Sequence, residues 1–281
     1  MSIRQKLSRT ERIVELCGGV PLALCIVGSL LSDTTEEKLI KHLEEEPLTV
    51  LDDSETSMEN VIRTSFDLLT EAQQDALILM SVFPGQFNLV AAEAVMEAYS
   101  DSRTLRGSIL RSLRMRSFLE QRSPSRYQMH PLVQALAKNI GVAEYPDLVA
   151  KGEKLACAHF MSCLAENANR YWSKNSCRES VEGFNADRNN FEYFLQIYAQ
   201  GREKEDCDVM GSCKTFLDDF PQKCMYLEMC VLPRFYIAIL ERLLETFDSE
   251  TQPVQRAELL CLLGHEYRKA RAERKKSTES S

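Results

Sequence analysis

Only one stretch of this chain reads as β structure. Residues 117–122 and 126–130 are short extended runs on either side of Ser123-Pro124-Ser125, a turn sequence, and together they spell a hairpin. Elsewhere apolar residues recur every three or four positions, the period of helices that bury one face. The expected fold is therefore mainly α, with one small β-hairpin, and 281 residues leave room for two compact domains or three small ones.

Helix boundaries follow from local chemistry. A first helix over 8–16 carries Ile13, Val14 and Leu16 and stops at Gly18-Gly19. Pro21 opens a second, because a missing N–H costs nothing in a first turn. Leu22, Leu24, Ile26, Val27, Leu30 and Leu31 cover most of that helix's circumference, which predicts deep burial all round. Thr34 with Glu37 predicts a capping box for a third helix ending before Pro47, and an acidic linker follows over 47–57. Val61, Ile62, Phe66, Leu68 and Leu69 then form an apolar face. Thr70 with Gln73 caps a helix over 71–81 that Phe83-Pro84-Gly85 ends. Helices over 89–99 and 104–116 lead into the hairpin, and one from Pro131 to about 140, with Leu132 and Leu136 on one face, closes the unit. Helices followed by a small hairpin is the order of a winged helix.

Beyond residue 145 the chain returns to amphipathic segments, over 147–170, 186–200, 212–220 and 223–247, with a charged loop at 201–208. Leu260-x-x-Leu263-Gly264-x-x-Tyr267 fits the helix pattern of a tetratricopeptide repeat with Leu in the Trp position. It is half of one repeat, and such repeats need neighbours to bury their faces.

A net charge of −8 argues against bulk binding to nucleic acid or anionic membrane, both of which need a basic surface. The longest apolar stretch, 20–31, is interrupted by Gly28 and Ser29 and is too short to span a bilayer, so a cytoplasmic location is expected. Among ten cysteines, Cys17, Cys25, Cys157, Cys163 and Cys261 fall in apolar helical patterns, as reduced buried thiols do. The pairs Cys157/Cys163, Cys207/Cys213 and Cys224/Cys230 have five intervening residues, which on a helix turns the second thiol off the first one's face. His159 and Cys163 are one helical turn apart but a zinc site needs three or four ligands, so no metal is expected. Seven arginines against one acid, Glu120, lie between 103 and 126. They could line a groove-reading helix, or face a neighbouring domain or solvent while Leu105, Ile109, Leu113 and Phe118 form the core. The basic run 268–276 reads as a solvated helix end. No nucleophile-and-base or paired-carboxylate arrangement stands out.

Three segments in order resemble signalling NTPases of the NB-ARC type. They are Cys17-Gly-Gly-Val-Pro-Leu-Ala-Leu24, similar to the family's Gly-x-Pro segment; Phe66-Asp-Leu-Leu-Thr-Glu-Ala-Gln73 leading to Leu79-x-x-x-Phe83-Pro84, similar to the opening of its winged helix; and Tyr127-Gln-Met-His-Pro-Leu-Val133, similar to its Met-His-Asp segment. Together they cover about residues 8–141. Phe184-x-x-Asp187-Arg188-x-Asn190-Phe191 more weakly resembles the linker that joins such switches to tetratricopeptide repeats.

The resemblance implies a helical lid subdomain over 1–49, a winged helix over 50–143, a helical linker domain over 144–249, and a partial repeat with a basic tail over 250–281. It implies ADP or ATP as cofactor, with Pro21 packing against the base and His130 contacting the β-phosphate. It also implies an upstream nucleotide-binding domain and self-association as partners, with other proteins meeting the C-terminal helices, and neither membrane nor nucleic acid among them. The chain departs from the family in carrying no Gly-x-x-x-x-Gly-Lys-Ser/Thr loop and no apolar strand ending in paired acids, and Pro131 stands where the family has Asp. The phosphate cradle is thus expected before Met1, and hydrolysis by this chain on its own is not expected. The alternatives are a DNA-binding winged helix and a helical adaptor with a decayed switch.

Overall fold

The computed structural model describes residues 3–17, 20–31, 34–45, 54–98, 103–173, 175–200, 207–217, 222–247 and 252–279. The fold is mainly α with one small antiparallel sheet, and the chain separates into two compact units, 1–153 and 154–281.

The first unit runs α1 (Ile3–Leu16), α2 (Pro21–Leu30), α3 (Glu36–Glu45), α4 (Ser54–Asp67), α5 (Glu71–Met80), β1 (Phe87–Asn88), α6 (Leu89–Met96), α7 (Arg103–Met115), β2 (Leu119–Ser123), β3 (Arg126–Met129), α8 (Pro131–Glu144) and the start of α9 (Pro146–Tyr171). Helix α1 packs on α3, and α2 on α4, which also meets α8. The expectation that α2 is buried all round is corrected: Ala23, Ile26, Val27 and Leu30 are buried, whereas Pro21, Cys25, Gly28 and Leu31 are exposed. Apolar residues on every side did not bury every side, because the helix packs along one face only. Cap chemistry also shifts by one residue: Lys38 N–H donates to Thr35 Oγ1 at 3.4 Å, so Thr35, not Thr34, starts α3. Helix α4 begins inside the stretch that reads as an acidic linker; residues 47–53 of that stretch, and residue 99 at the expected end of α6, lie outside the described residues.

The Thr70–Gln73 cap forms, with Thr70 N–H donating to Gln73 Oε1 at 3.1 Å. Gln134 of α8 holds the turn after α5, its Nε2 donating to Ser81 O at 3.1 Å and Phe83 O at 2.5 Å. A strand absent from the sequence reading, β1, pairs with β3, giving the order β1-β3-β2 with Phe87 opposite Tyr127. Two residues are too few to show alternation. Asn88 then caps α6, its Oδ1 accepting from Ala91 N–H at 2.8 Å. From α5 to β3 the element order is helix, strand, helix, helix, strand, strand.

The core face of α8 is Val133, Ala137 and Ile140; Leu132 and Leu136 are only half-buried. The helix also continues past Ile140 through Gly141. A Cβ there would come within 2.7 Å of Val149 Cγ2 and 2.8 Å of Ile78 Cγ2, so this glycine permits close helix approach and does not end the helix.

The second unit comprises α9 from residue 154 onward, α10 (Cys177–Ala199), α11 (Cys207–Leu217), α12 (Gln222–Cys230), α13 (Pro233–Thr246) and α14 (Pro253–Glu279). The segment 223–247, read as one helix, is two. Leu232, forced extended by the proline after it (φ −66°, ψ 142°), breaks the run and Pro233 begins α13. Of the charged loop, 201–206 lies outside the described residues, and 207–208 belong to α11. Phe160, Phe184, Phe191, Phe194 and Tyr226 fill the core. Helix α10 kinks at Asp187, and Arg188 beside it donates to Cys230 O at 2.9 Å and to Glu192 at 2.8 Å, capping α12. In α14, Leu263 is buried while Leu260 and Tyr267 are exposed.

Candidate functional site

Two helices of the first unit begin in the same way. Val20 and His130 are the N-cap residues of α2 and α8, both extended (ψ 123° and 139°), and Pro21 and Pro131 occupy the first helical positions. The two first turns line one cavity of about 580 Å³, with Val20, Pro21 and Leu22 on one side and His130 and Leu132 on another. The two residues, far apart in sequence, therefore line the same cavity. Cys25, Arg114, Ser117, Leu119 and Glu120 complete its wall.

The two N-termini differ in how their amides are satisfied. Helix α2 has no side-chain cap, whereas His130 Nδ1 accepts from Leu132 N–H at 3.3 Å. An accepting Nδ1 puts the proton of a neutral imidazole on Nε2, which makes that nitrogen a donor. Positive helix ends, uncapped amides and an imidazole donor suit an anion. Pro21, exposed, offers an apolar ring at the same cavity.

The wall from α7 and β2 holds residues that periodicity does not single out. Ser117 has φ 62°, in the left-handed region that glycine normally supplies. Phe118 N–H donates to Leu113 O at 3.1 Å and Ser117 N–H to Arg114 O at 3.1 Å, the two bonds of a Schellman ending, with Leu113 and Phe118 both buried. The apolar pair five residues apart was the available signal; a serine in place of glycine concealed it. Glu120, the one acid among the lining residues, pairs with Arg122 at 2.7 Å, and Arg114 donates to Gln121 Oε1.

Among the described arginine side chains of 103–126, Arg111 and Arg114 are exposed one turn apart on α7 while others are drawn into contacts. Arg106 is buried and lies 3.8 Å from Glu97, Arg114 and Arg122 are engaged as above, and Arg126 reaches Gln86 O at 3.4 Å.

In the second unit His159 Nε2 and Cys163 Sγ meet at 3.6 Å. Burial pushes the Cys163 thiol up to about 11 and lowers the His159 imidazole. Glu228, His265 and Glu266 bring three potential ligand atoms within 4.8 Å, but Lys269 already bridges the two carboxylates, at 2.8 Å to Glu266. Of the cysteines expected to be buried, Cys17 and Cys157 are, while Cys25 and Cys261 are exposed because each falls on the outward face of its helix. Among the described residues no helix is long and apolar enough to cross a membrane.

No family model matches the chain. It is similar to the disease resistance proteins RML1A and RML1B of Arabidopsis thaliana, at 28% identity over 154 residues and 29% over 136, and to the putative disease resistance protein RGA1 of Solanum bulbocastanum, at 25% over 144. The aligned stretches cover 52%, 46% and 46% of this chain but only 14%, 12% and 15% of those proteins. The chain's homologues are thus plant disease resistance proteins, at low identity over about half its length.

Proposed function

We propose that this chain is the regulatory part of a nucleotide-gated signalling switch of the NB-ARC type, and that ADP occupies the cavity shared by Pro21 and His130. The observation that carries the reading is the convergence of those two residues on one cavity. Its volume, about 580 Å³, lies within the usual range for small-molecule sites. In this reading the base rests on the Pro21 ring, a phosphate oxygen accepts from His130 Nε2–H, and the uncapped first turn of α2 adds its dipole. The helix–strand–helix–helix–strand–strand segment acts as a winged helix that presents His130, and the helices beyond 154 meet protein partners. The main-chain phosphate cradle and the magnesium site come from a separate phosphate-loop domain. The chain alone therefore neither hydrolyses ATP nor holds ADP tightly, since two peripheral contacts cannot replace that cradle.

The test is photoaffinity labelling of a chimera in which an NB-ARC-type phosphate-loop domain precedes residue 3. Azido-ADP, reactive at the adenine, is expected to label the peptide carrying Pro21 and Cys25, with excess ADP competing. Competed labelling confined to other peptides would overturn the assignment.

A further inference from the structure

In the second unit two buried cysteines from different helices touch. Cys157 of α9 and Cys213 of α11 are both buried, with Sγ atoms 3.7 Å apart. The contact joins cysteines that no sequence spacing pairs, so it arises from packing and not from a motif. Cys213 Sγ also lies 3.7 Å from Phe194 O. If Cys213 donates to that carbonyl, Cys157 is the donor within the pair, and the two sulfurs share a proton-relaying contact. A disulfide needs about 2.05 Å between sulfurs, a closure of roughly 1.6 Å that small rotations of two side chains can share. The two thiols are fully buried, and the Cys213 contact together with burial holds the Cys157 thiol well above its ordinary value; Ala158 and Ser212, next to them in sequence, line a cleft of about 520 Å³.

We infer that Cys157 and Cys213 are a dithiol oxidised by hydroperoxides to a disulfide that ties α9 to α11. One thiol, deprotonated, attacks the peroxide; the O–O bond breaks, a sulfenic acid forms, and the departing oxygen takes a proton. The other sulfur then attacks the sulfenic sulfur, the S–O bond breaks, and water leaves with the second thiol's proton. Two thiols lose two electrons, and hydrogen peroxide becomes two waters. The thiols are 56 residues apart in sequence, so the bond closes a long loop and restricts the unfolded chain.

The experiment uses the whole chain. Exposed thiols are first alkylated at neutral pH, the protein is treated with hydrogen peroxide, and a non-reduced digest is analysed by mass spectrometry. The expected result is a cross-linked peptide pair containing Cys157 and Cys213, about 2 Da lighter than the two thiol peptides and separated by dithiothreitol. The thermal midpoint of the oxidised protein is expected to rise by about 10 °C, and Cys213→Ala to abolish both changes. Sulfinic or sulfonic acids at these positions, cross-links to other cysteines, or two intact thiols after treatment would each overturn the proposal. The wild-type digest decides it even if the variant does not fold.

Discussion

His130 has two tasks in this reading, and its two ring nitrogens allow them to be separated. Nδ1 caps α8 through a 3.3 Å bond to Leu132 N–H, and Nε2 is the nitrogen offered to a phosphate. His130→Ala removes both. Losing the cap costs about 0.5–1 kcal/mol of stability, the low end of the usual range because the bond is long. His130→Asn keeps a good cap, since the amide oxygen accepts from the first turn, but withdraws the imidazole. In a chimera carrying a phosphate-loop domain, losing one charge-assisted donor costs about 1.5–3 kcal/mol of ADP binding, roughly 10- to 150-fold in Kd. Calorimetry with ADP and urea unfolding are run on wild type, both variants and Val133→Ala. The last is the stability control, because Val133 is fully buried whereas Leu132 lines the cavity; its truncation costs about 2 kcal/mol without a selective loss of ADP. His130→Asn is expected to melt like wild type yet bind ADP at least tenfold more weakly. Wild-type affinity in His130→Asn would refute it and leave the histidine as a cap alone.

Ser117→Gly is expected to stabilise the first unit by about 0.5–1 kcal/mol, because glycine adopts φ 62° without the steric cost a Cβ brings; urea midpoints decide. Gly141→Ala is expected to destabilise it by about 1–3 kcal/mol through the 2.7 Å and 2.8 Å approaches of Val149 and Ile78, and an unchanged midpoint would count against that close packing. Thiol labelling at neutral pH is expected to modify Cys25, Cys177 and Cys261 first. Burial pushes Cys17 and Cys163 up to about 11 and Cys224 up to about 12, so their labelling in the folded protein is expected to accelerate only as pH rises towards those values, which stopped-time mass spectrometry checks.

Capping and periodicity made much of the fold legible. Thr70 with Gln73, Pro21 and Pro131 at first helical positions, and the Ser123-Pro124-Ser125 turn all stand where local chemistry puts them. What escaped was set by tertiary contact. The buried face of α2, which packs on α4, is Ala23, Ile26, Val27 and Leu30, and the exposed one is Pro21, Cys25, Gly28 and Leu31. The buried face of α8 was chosen by packing that favours Val133, Ala137 and Ile140 over the equally apolar Leu132 and Leu136. The helix expected to end at about 140 runs on through Gly141, whose role as a close contact only the neighbours Ile78 and Val149 reveal. Strand β1 owes its existence to β3, and two residues carry no period of their own.

The cavity was legible in a different way. Helical periodicity reports the faces of elements, whereas this site is built from their ends: the first turns of α2 and α8, the left-handed ending of α7 and the start of β2. Ends are marked in sequence by single residues, prolines and caps, and nothing in a cap says which other cap it will meet. The resemblance joined Pro21 to His130; residue chemistry alone would have left each as a local feature. Ser117, Arg114 and Cys25 had no such link and emerged only with the fold. A wall made of helix ends also has a physical consequence. Each end carries a partial charge from groups that lack intrahelical partners, so the site's polarity is set by backbone that cannot be mutated away. Side chains then only tune it. A substitution at His130 should therefore weaken an anion by the worth of one contact, and one at Pro21 only the apolar contact with the base, while the dipoles of α2 and α8 persist until the helices themselves are lost.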